Sequence, residues 1–502
     1  MIQQFLYSEN KPMMFTHASF WVFFMVVLML YSFLYKKNAL RNSFLFIVSI
    51  YFYYKCGGFY FSLLLLSVLF NYIVGLGIAA TEKSWLKKTT LFTGVSFNLI
   101  VLAWFKYAYL FIEWINRLAG TSFEVVNLFA KWSNEFVGSD FDISKIVLPV
   151  GISFFTFQAI SYIVDVYRDK APVVRNILYF GFYLSFFPSL VAGPIVRAAE
   201  FVPQMFRNYQ LRKGEMGHAL FLISCGLFKK MIISDYISIN FVDRVFDEPV
   251  LYSGFENLMA VYGYTLQIYC DFSGYTDIAI GLALLMGFRL PANFNSPYQA
   301  RNIADFWRRW HISLSLWLRD YLYIPIGGNR KGHLRTNANL LITMLLGGLW
   351  HGANMRFIVW GALHGVALAL HKMWTHFTAP NKINRKKLPV FLGTFITFHF
   401  VAFCWIFFRS PDMQAAFTMI ERIFNPTPFM LIIEMIVGYY FVFALILTGF
   451  LMHWCPAQWK EYLRGWYVLL HPAWKVLLAV VLFFLIYQMR AATIQPFIYF
   501  QF

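Results

Sequence analysis

Long apolar runs separated by short polar segments fill most of the chain. A membrane-spanning helix needs about 20 apolar residues, with a range of roughly 17–25. The runs here are continuous, whereas the strands of a membrane β-barrel would alternate between apolar and polar positions. The pattern therefore predicts an all-α polytopic membrane protein. The uninterrupted runs cover residues 20–35, 43–54, 59–80, 90–112, 146–166, 219–233, 258–288, 389–408, 429–452 and 473–487.

Two further apolar runs are interrupted. Residues 177–192 are short, have basic residues on both sides and lead into FFPSLVAGPIVR. Such a segment is typical of a re-entrant element, because irregular backbone survives at membrane depth only when it is buried in protein or lines a wet cavity. Residues 337–374 are too long for one span and are broken by GGLWHGAN, which predicts a helical hairpin with both ends inside. We expect about eleven full spans plus re-entrant segments.

The composition and charge agree with a membrane protein. The chain is 59% hydrophobic and only 13% charged, whereas soluble domains carry roughly 25% charged residues. The net charge of +18 fits an excess of Lys and Arg in cytoplasmic loops. The first basic loop, at Lys36, Lys37 and Arg41, predicts that the N-terminus lies outside. Segments 289–335 and 382–387 are also basic and are assigned to the inside, and no separate basic patch suggests nucleic-acid binding.

The chain reads as one unit without a soluble domain. Its five cysteines form no CxxC pair, so neither a zinc site nor a disulfide framework is indicated. No linker tract or internal repeat separates the segments. We predict a single integral membrane domain over residues 1–502, with N-terminal helices in 19–112, core motifs in 146–374 and C-terminal helices in 389–502.

His351 lies inside an apolar run, where an ionisable side chain is a functional-site candidate. Histidine is also suited to moving a proton near neutral pH. Gly347, Gly348 and Gly352 surround it, so we expect the backbone to unwind there and the residue to lie away from either helix terminus. Asn354 follows closely enough to help fix the imidazole. The alternative is a helix-interior histidine that bonds a neighbouring carbonyl.

His311 lies in the aromatic and basic stretch FWRRWHISLSLWLRDYLYIP. This stretch could be an amphipathic helix at the membrane interface with aromatic anchors. It could also bind an anionic cosubstrate, because Arg308 and Arg319 match phosphate oxygens in a bidentate way. Asp320 and Tyr321 belong to the same candidate binding set, and both readings could hold together.

Other ionisable residues also fall within apolar runs. Asp271 and Asp277 are costly there unless they are paired or face water, and a helix–helix ion pair is the simplest explanation. A covalent acyl-cysteine route through Cys270 is disfavoured, because a buried apolar thiol is usually inert. His364 and His371 share one helical face, which favours packing over haem ligation.

Three segments resemble the signatures of the membrane-bound O-acyltransferases, especially the bacterial alginate O-acetyltransferase branch. They are YCDFSGYTDIAIGLALLMGF, FWRRWHISLSLWLRDYLYIPIGGNRKG and LLGGLWHGANMRFIVWGALHG. Upstream, VLPVGISFFTFQAISYIVDVYR and FFPSLVAGPIVRAAEFVPQ fit the same branch in the same order. The resemblance runs from about residue 13 to at least residue 409.

The resemblance implies a ring of helices around a tunnel that crosses the membrane. It assigns the WHG histidine of the family to His351 and its earlier histidine to His311, both as catalytic residues. Family proteins of this branch take a short acyl group from a cytoplasmic thioester and place it on an exported polysaccharide or cell-wall glycan, with periplasmic partner proteins. The expected donor is acetyl-CoA or an acyl carrier protein, with no bound cofactor or metal, in the bacterial inner membrane. The candidate substrate-binding residues are Trp350, Asn354, Asp271, Arg308, Arg319, Asp320 and Tyr321.

These assignments predict a direct acyl transfer. His351 would take the proton from a sugar hydroxyl as it attacks the thioester carbonyl. Backbone N–H groups freed in residues 347–354 would stabilise the oxyanion, and His311 would orient a substrate or assist proton transfer. The main alternative is a transporter or flippase of a glycan or lipid-linked sugar, which would also show intramembrane charges. A scaffold for periplasmic enzymes would explain the spans but not the buried histidines.

Overall fold

A computed structural model describes residues 6–8, 12–137, 142–191, 193–378 and 389–489. Within these ranges all regular secondary structure is helical and no strand is present, as the apolar pattern predicts. The basic segment 382–387, assigned above to the inside, lies outside the described residues.

The predicted apolar runs form helices close to their expected bounds. The first twelve α-helices are α1 (Ala18–Leu34), α2 (Asn38–Gly57), α3 (Phe61–Ala80), α4 (Ser84–Ala119), α5 (Leu128–Val137), α6 (Ile152–Tyr167), α7 (Ile177–Ser185), α8 (Phe187–Leu190), α9 (Ala198–Met205), α10 (Lys213–Leu227), α11 (Asp235–Ile237) and α12 (Asp243–Asp247). The others are α13 (Gly254–Leu285), α14 (Ile303–Arg309), α15 (Ile312–Leu318), α16 (Gly332–His351), α17 (Met355–Phe377), α18 (Val390–Arg409), α19 (Met413–Ile423), α20 (Phe429–Gly438), α21 (Tyr440–Trp454), α22 (Ala457–Leu469) and α23 (Pro472–Met489).

Three short π-helices interrupt the α-helical geometry of the described ranges. They are Phe228–Ser234 and Ser238–Val242, which join α10 to α12, and Arg319–Tyr323, which follows α15. Insertions of this kind are frequent at functional sites. The first contains Lys229 and Lys230, and the third contains Arg319 and Asp320.

Six helical stretches of the described chain are long and apolar enough to cross a membrane: Asn38–Ala80, Ser84–Ala119, Lys213–Asp247, Gly254–Leu285, Val390–Arg409 and Pro472–Met489. The pair α20 and α21 makes a seventh if it counts as one span, but it bends by 84°. The prediction of an ordinary span over residues 429–452 is therefore wrong, since the helix breaks at Tyr439. The expected count of about eleven is not confirmed.

The segment predicted to be re-entrant is short and buried. It forms α7 and α8, which have nine and four residues and are too short to span a bilayer. Asn176 caps α7 by accepting the backbone N–H of Leu178 at 2.9 Å. The residues from Phe180 to Leu190 are buried, which fits interrupted backbone that is enclosed by protein.

The chain divides into two compact units. The first comprises residues 1–13, 37–191 and 197–207. In it, α3 and α4 are joined by a reciprocal amide pair, in which Asn98 donates to Asn71 at 2.7 Å and Asn71 donates back at 3.2 Å. Both side chains are buried, so the pair satisfies two polar groups inside an apolar helix contact.

The second unit comprises residues 14–36, 192–196 and 208–502. Its central element is α13, whose apolar window is 78% buried, more than that of any other candidate span in the described chain. A capping box starts this helix: Ser253 and Glu256 each accept the other's backbone N–H. Gly226 and Gly274 allow α10 and α13 to touch, because a Cβ at Gly274 would lie 2.8 Å from the Gly226 carbonyl oxygen.

Candidate active site

The helical hairpin predicted for residues 337–374 is present as α16 and α17. Its break is short and covers only Gly352, Ala353 and Asn354. The expected unwinding at Gly347 and Gly348 does not occur, because α16 remains helical through His351. His351 is the last residue of α16, so the expectation that it lies away from a helix terminus is also wrong.

The glycines serve close helix contact rather than unwinding. A Cβ at Gly348 would lie inside van der Waals distance of the Phe357 carbonyl oxygen and 3.2 Å from the Cα of Gly361. A Cβ at Gly361 would in turn meet the Met344 carbonyl oxygen at 2.5 Å. The two helices therefore pack backbone to backbone at the tip of the hairpin, and this contact fixes His351 against α17.

Aromatic rings surround His351. Its ring centroid lies 4.9 Å from that of Trp350, 5.2 Å from Trp360 and 5.0 Å from Phe408. The residue is buried, with 5% of its surface exposed. Polar and charged groups inside such a low-dielectric pocket interact more strongly than they would in water.

His311 is buried at the start of α15, in the left-handed region of backbone space (φ 41°). This conformation is uncommon for a residue with a Cβ, and such residues cluster at active sites. The ring of Phe272 on α13 contacts its imidazole edge-on at 4.6 Å. Burial lowers the pKa of His311 to about 3, so the ring is neutral at physiological pH.

Trp350 connects the two histidines. Its ring centroid lies 4.9 Å from that of His351 and 6.3 Å from that of His311. Forty residues of sequence separate the histidines, yet one indole contacts both. The structure therefore brings His351, His311 and Trp350 into one buried site.

A comparison with protein families identifies the family to which the chain belongs. The model of the membrane-bound O-acyltransferase family matches residues 73–410, which include both histidines. The chain belongs to this family. The family's name gives its chemistry, and the protein is accordingly a multi-pass membrane O-acyltransferase, as the sequence motifs predict.

Curated relatives support the same assignment. A peptidoglycan O-acetyltransferase of Helicobacter pylori is 37% identical over 414 residues, covering 77% of this chain and 74% of the relative. A probable alginate O-acetylase AlgI of Pseudomonas aeruginosa is 41% identical over 388 residues, covering 77% and 70%. A teichoic acid D-alanyltransferase of Bacillus subtilis is 31% identical over 279 residues, covering 52% and 68%.

Asp271 of the acyltransferase lies in a buried ion cluster. Lys230 Nζ is 2.5 Å from Asp271 Oδ1 and 2.8 Å from Asp235 Oδ1. The side chains of Lys230 and Asp271 are only 2% and 3% exposed. This is the helix–helix ion pair named above as the simplest explanation for Asp271. The next residue, Phe272, contacts the imidazole of His311 with its ring. The ion cluster therefore anchors the part of α13 that packs against His311.

Sequence reasoning did not single out the lysines of this cluster. Lys229 and Lys230 stand together within the apolar run 219–233, and that placement was the available signal. Lys229 forms the equivalent pair with Asp277. Consecutive lysines in apolar sequence, opposite two carboxylates on another predicted span, point to interhelical pairing.

Asn354 acts at the start of α17. Its Oδ1 atom accepts the backbone N–H of Arg356 at 3.2 Å, and the residue is exposed. The structure thus uses Asn354 as the N-cap of the helix that packs against His351.

The candidate binding residues around His311 lie nearer the surface. Arg308 pairs with Asp305 at 3.4 Å, and its side chain is 69% exposed. Arg319 holds Asp320 through Nε and Nη2, at 2.6 and 3.1 Å. Tyr321 belongs to the π-helix Arg319–Tyr323, and its ring lies 5.3 Å from that of Trp317. These side chains are more exposed than the two histidines.

The backbone donors expected between residues 347 and 354 are largely used by the hairpin itself. Gly347 to His351 belong to α16, and the N–H of Gly352 donates to the Leu349 carbonyl at 3.1 Å. A carbonyl oxygen that reacts beside His351 therefore needs other donors in the site.

His364 packs among aromatic rings, as expected from its helical face. It is fully buried on α17, with ring centroids 4.8 Å from Trp360, 5.2 Å from Trp307 and 6.0 Å from Phe306. Trp360 contacts both His351 and His364, which places a third histidine one indole ring away from the site.

Proposed function

We propose that the protein moves an acetyl or other short acyl group from a cytoplasmic thioester to hydroxyls of an exported polysaccharide or cell-wall glycan. The donor is acetyl-CoA or an acyl carrier protein. Transfer is direct or passes through a periplasmic partner, and the protein lies in the bacterial inner membrane with its N-terminus outside. Relatives named for peptidoglycan, alginate and teichoic acid support a glycan or cell-wall acceptor.

The observation that carries the proposal is the shared contact of two buried histidines with one indole. A transporter or a scaffold has no need for two imidazoles held in this way. The family match contributes the reaction class, and the pocket contributes the groups that such a reaction requires.

His351 is the general base. It removes the proton of the acceptor hydroxyl as the oxygen attacks the thioester carbonyl carbon, and it returns that proton to the thiolate when the C–S bond breaks. A sugar hydroxyl is a weak nucleophile at neutral pH, and a positioned base contributes about 10²–10⁴-fold. Its place at the end of α16, beside the hairpin break, leaves the ring next to the irregular segment from Gly352 to Asn354.

His311 orients a substrate. A neutral imidazole offers one donor and one acceptor, which suits a hydroxyl or carbonyl oxygen. The exposed arginines of the same segment, Arg308 and Arg319, suit the phosphates of a coenzyme A or phosphopantetheine donor.

The test measures radiolabelled acetyl transfer in membranes or proteoliposomes, with labelled acetyl thioester on the cytoplasmic side and glycan acceptor on the other. We expect His351→Ala to abolish transfer while the protein stays in the membrane at its normal level. His311→Ala should lower transfer less strongly. His471→Ala, which removes an exposed histidine, is the matched control and should transfer normally.

Full transfer by His351→Ala would remove the base assignment, and normal turnover by His311→Ala would remove that residue from the mechanism. Movement of unmodified glycan without label on it would favour a transporter. Mass spectrometry of surface glycans from a deletion strain would identify the acceptor.

A further inference from the structure

His364, Trp360 and Trp307 form a compact ring cluster beside His351. The three centroid distances within it are 4.8, 5.2 and 5.8 Å. The ring centroid of Trp360 also lies 5.2 Å from that of His351, so the cluster borders the site that contains His351.

The polar atoms of this cluster are buried and lack a hydrogen-bond partner among the described residues. Neither ring nitrogen of His364 makes a hydrogen bond to any residue that the structure describes, and the same holds for Nε1 of Trp360 and of Trp307. His364 is 0% exposed and Trp360 is 1% exposed. A buried polar group left unsatisfied costs about 1–3 kcal/mol, and such groups in folded proteins call for an explanation.

The chemistry of the unsatisfied atoms indicates what they bind. Each indole supplies one N–H donor, and a neutral imidazole supplies one donor and one acceptor. Three donors against one acceptor match an oxygen atom with free lone pairs, such as a carbonyl oxygen or the oxyanion formed from it. A simple apolar acyl tail would leave all of these atoms unsatisfied.

We propose that His364, Trp360 and Trp307 form the oxyanion-binding subsite of this acyltransferase and hold the carbonyl oxygen of the transferred acyl group. The inference rests on the proposed function and extends it to the side chains that stabilise the transition state. The backbone N–H groups of Gly347 to Gly352 bond within the hairpin, so side-chain donors take that role.

The step balances without a further reactant. The acceptor oxygen bonds to the carbonyl carbon, and the electron pair of the C=O bond moves onto the carbonyl oxygen, where indole and imidazole N–H groups donate to it. The pair then returns as the C–S bond breaks, and the thiolate takes the proton held by His351. His364 donates throughout and is neither the base nor the nucleophile.

The test compares variants that differ in their capacity to donate a hydrogen bond, with a control for the change in ring size. His364→Phe keeps an aromatic ring and removes the donor, whereas His364→Gln keeps a donor and an acceptor. Trp360→Phe removes the indole N–H together with part of the ring volume, which the Trp310→Phe control also loses. Trp310→Phe is the control: Trp310 is a buried tryptophan of the same aromatic region, whose ring packs on Phe306.

We expect His364→Phe and Trp360→Phe to lower kcat for acetyl transfer by about 100-fold, the usual loss for one oxyanion donor, with little change in KM. His364→Gln should recover to within about tenfold of the wild type. Trp310→Phe should transfer normally. Trp360→Phe and Trp310→Phe should lower the thermal unfolding midpoint in detergent by similar amounts, because each leaves a cavity where part of a buried indole was.

Two results would overturn the subsite. Normal kcat in His364→Phe or Trp360→Phe would show that the atoms do not meet the reacting oxygen. A loss of thermal stability in Trp360→Phe well beyond that in Trp310→Phe, with unchanged kcat, would mean that these atoms bind a structural water instead. Failure of the proposed function is distinct, because it would appear as an inactive wild type or as a fully active His351→Ala.

Discussion

Gly348→Ala tests whether the hairpin contact positions the catalytic base. The added methyl would lie inside van der Waals distance of the Phe357 carbonyl oxygen, a backbone atom of α17. Ordinary contact begins at 3.4 Å, so α16 and α17 would have to separate by on the order of 1 Å at this point. Overpacking of this kind typically destabilises a fold by about 1–3 kcal/mol.

The catalytic effect should exceed the effect on stability. Trp360, which contacts His351, lies on α17 and would move away with it. A displacement of about 1 Å at a reacting centre can lower the rate by about 100-fold. We therefore expect kcat for acetyl transfer to fall by about that factor, measured with labelled thioester in proteoliposomes, while thermal unfolding in detergent reports the loss of stability.

The neighbouring glycine provides the matched control. A Cβ at Gly347 would meet only the flexible end of Leu318, at 3.4 Å, which is ordinary contact. Because alanine is favoured over glycine inside a helix by about 1 kcal/mol, Gly347→Ala should be neutral or slightly stabilising and fully active. If Gly348→Ala matched Gly347→Ala in rate and stability, the argument that backbone packing positions His351 would be refuted.

Three further predictions concern the surroundings of the site. Lys230→Met leaves the buried Asp271 and the partly exposed Asp235 without the lysine that pairs with both, and it should destabilise the protein by about 3–5 kcal/mol. Adding Asp235→Asn and Asp271→Asn should restore most of the loss, and equal thermal midpoints for the single and triple variants would contradict the charge argument. Asn354→Ala removes the N-cap of α17 and should lower the stability by about 1 kcal/mol. Asn354→Ser can still cap the helix and should keep the wild-type stability. Thermal unfolding of both variants measures the difference. Burial lowers the pKa of His311 in the fold from 6.5 to about 3, so the unfolded chain takes up the proton first and stability falls as the pH drops from about 6.5 towards 3. His311→Asn, which also tolerates the left-handed backbone, should show a smaller fall in thermal midpoint between about pH 7.5 and about pH 5, and an unchanged slope would contradict the buried neutral imidazole.

Much of the fold follows from the length of the continuous apolar runs and from the positions of glycine and proline that interrupt them. The run 219–233, the run 258–288 and the broken run 337–374 each became the expected helices, since backbone in an apolar setting must satisfy its hydrogen bonds internally. The sequence around Tyr439 does not predict the bend of 84°. Gly438 is the only glycine or proline next to it, and glycine is common in membrane helices that do not bend.

The sequence singled out two candidate histidines but not their arrangement in space. An ionisable residue in apolar or aromatic sequence is conspicuous, so His351 and His311 could be chosen from their positions along the chain. The roles of their neighbours depend on which helix faces which. The position of Asn354 after the break suggested a partner for the imidazole, yet its geometry makes it a helix cap.

The sequence by itself determined the class of the protein, its helical runs, the hairpin and the two histidines, because these depend on local hydrophobicity and on the energetic penalty of burying a charge. Only the tertiary structure decided that Trp350 contacts both histidines, that Lys230 neutralises Asp271, and that Trp360 joins His351 to His364. Such contacts join residues far apart along the chain, and side-chain packing between helices, which sets them, has no signature in local sequence.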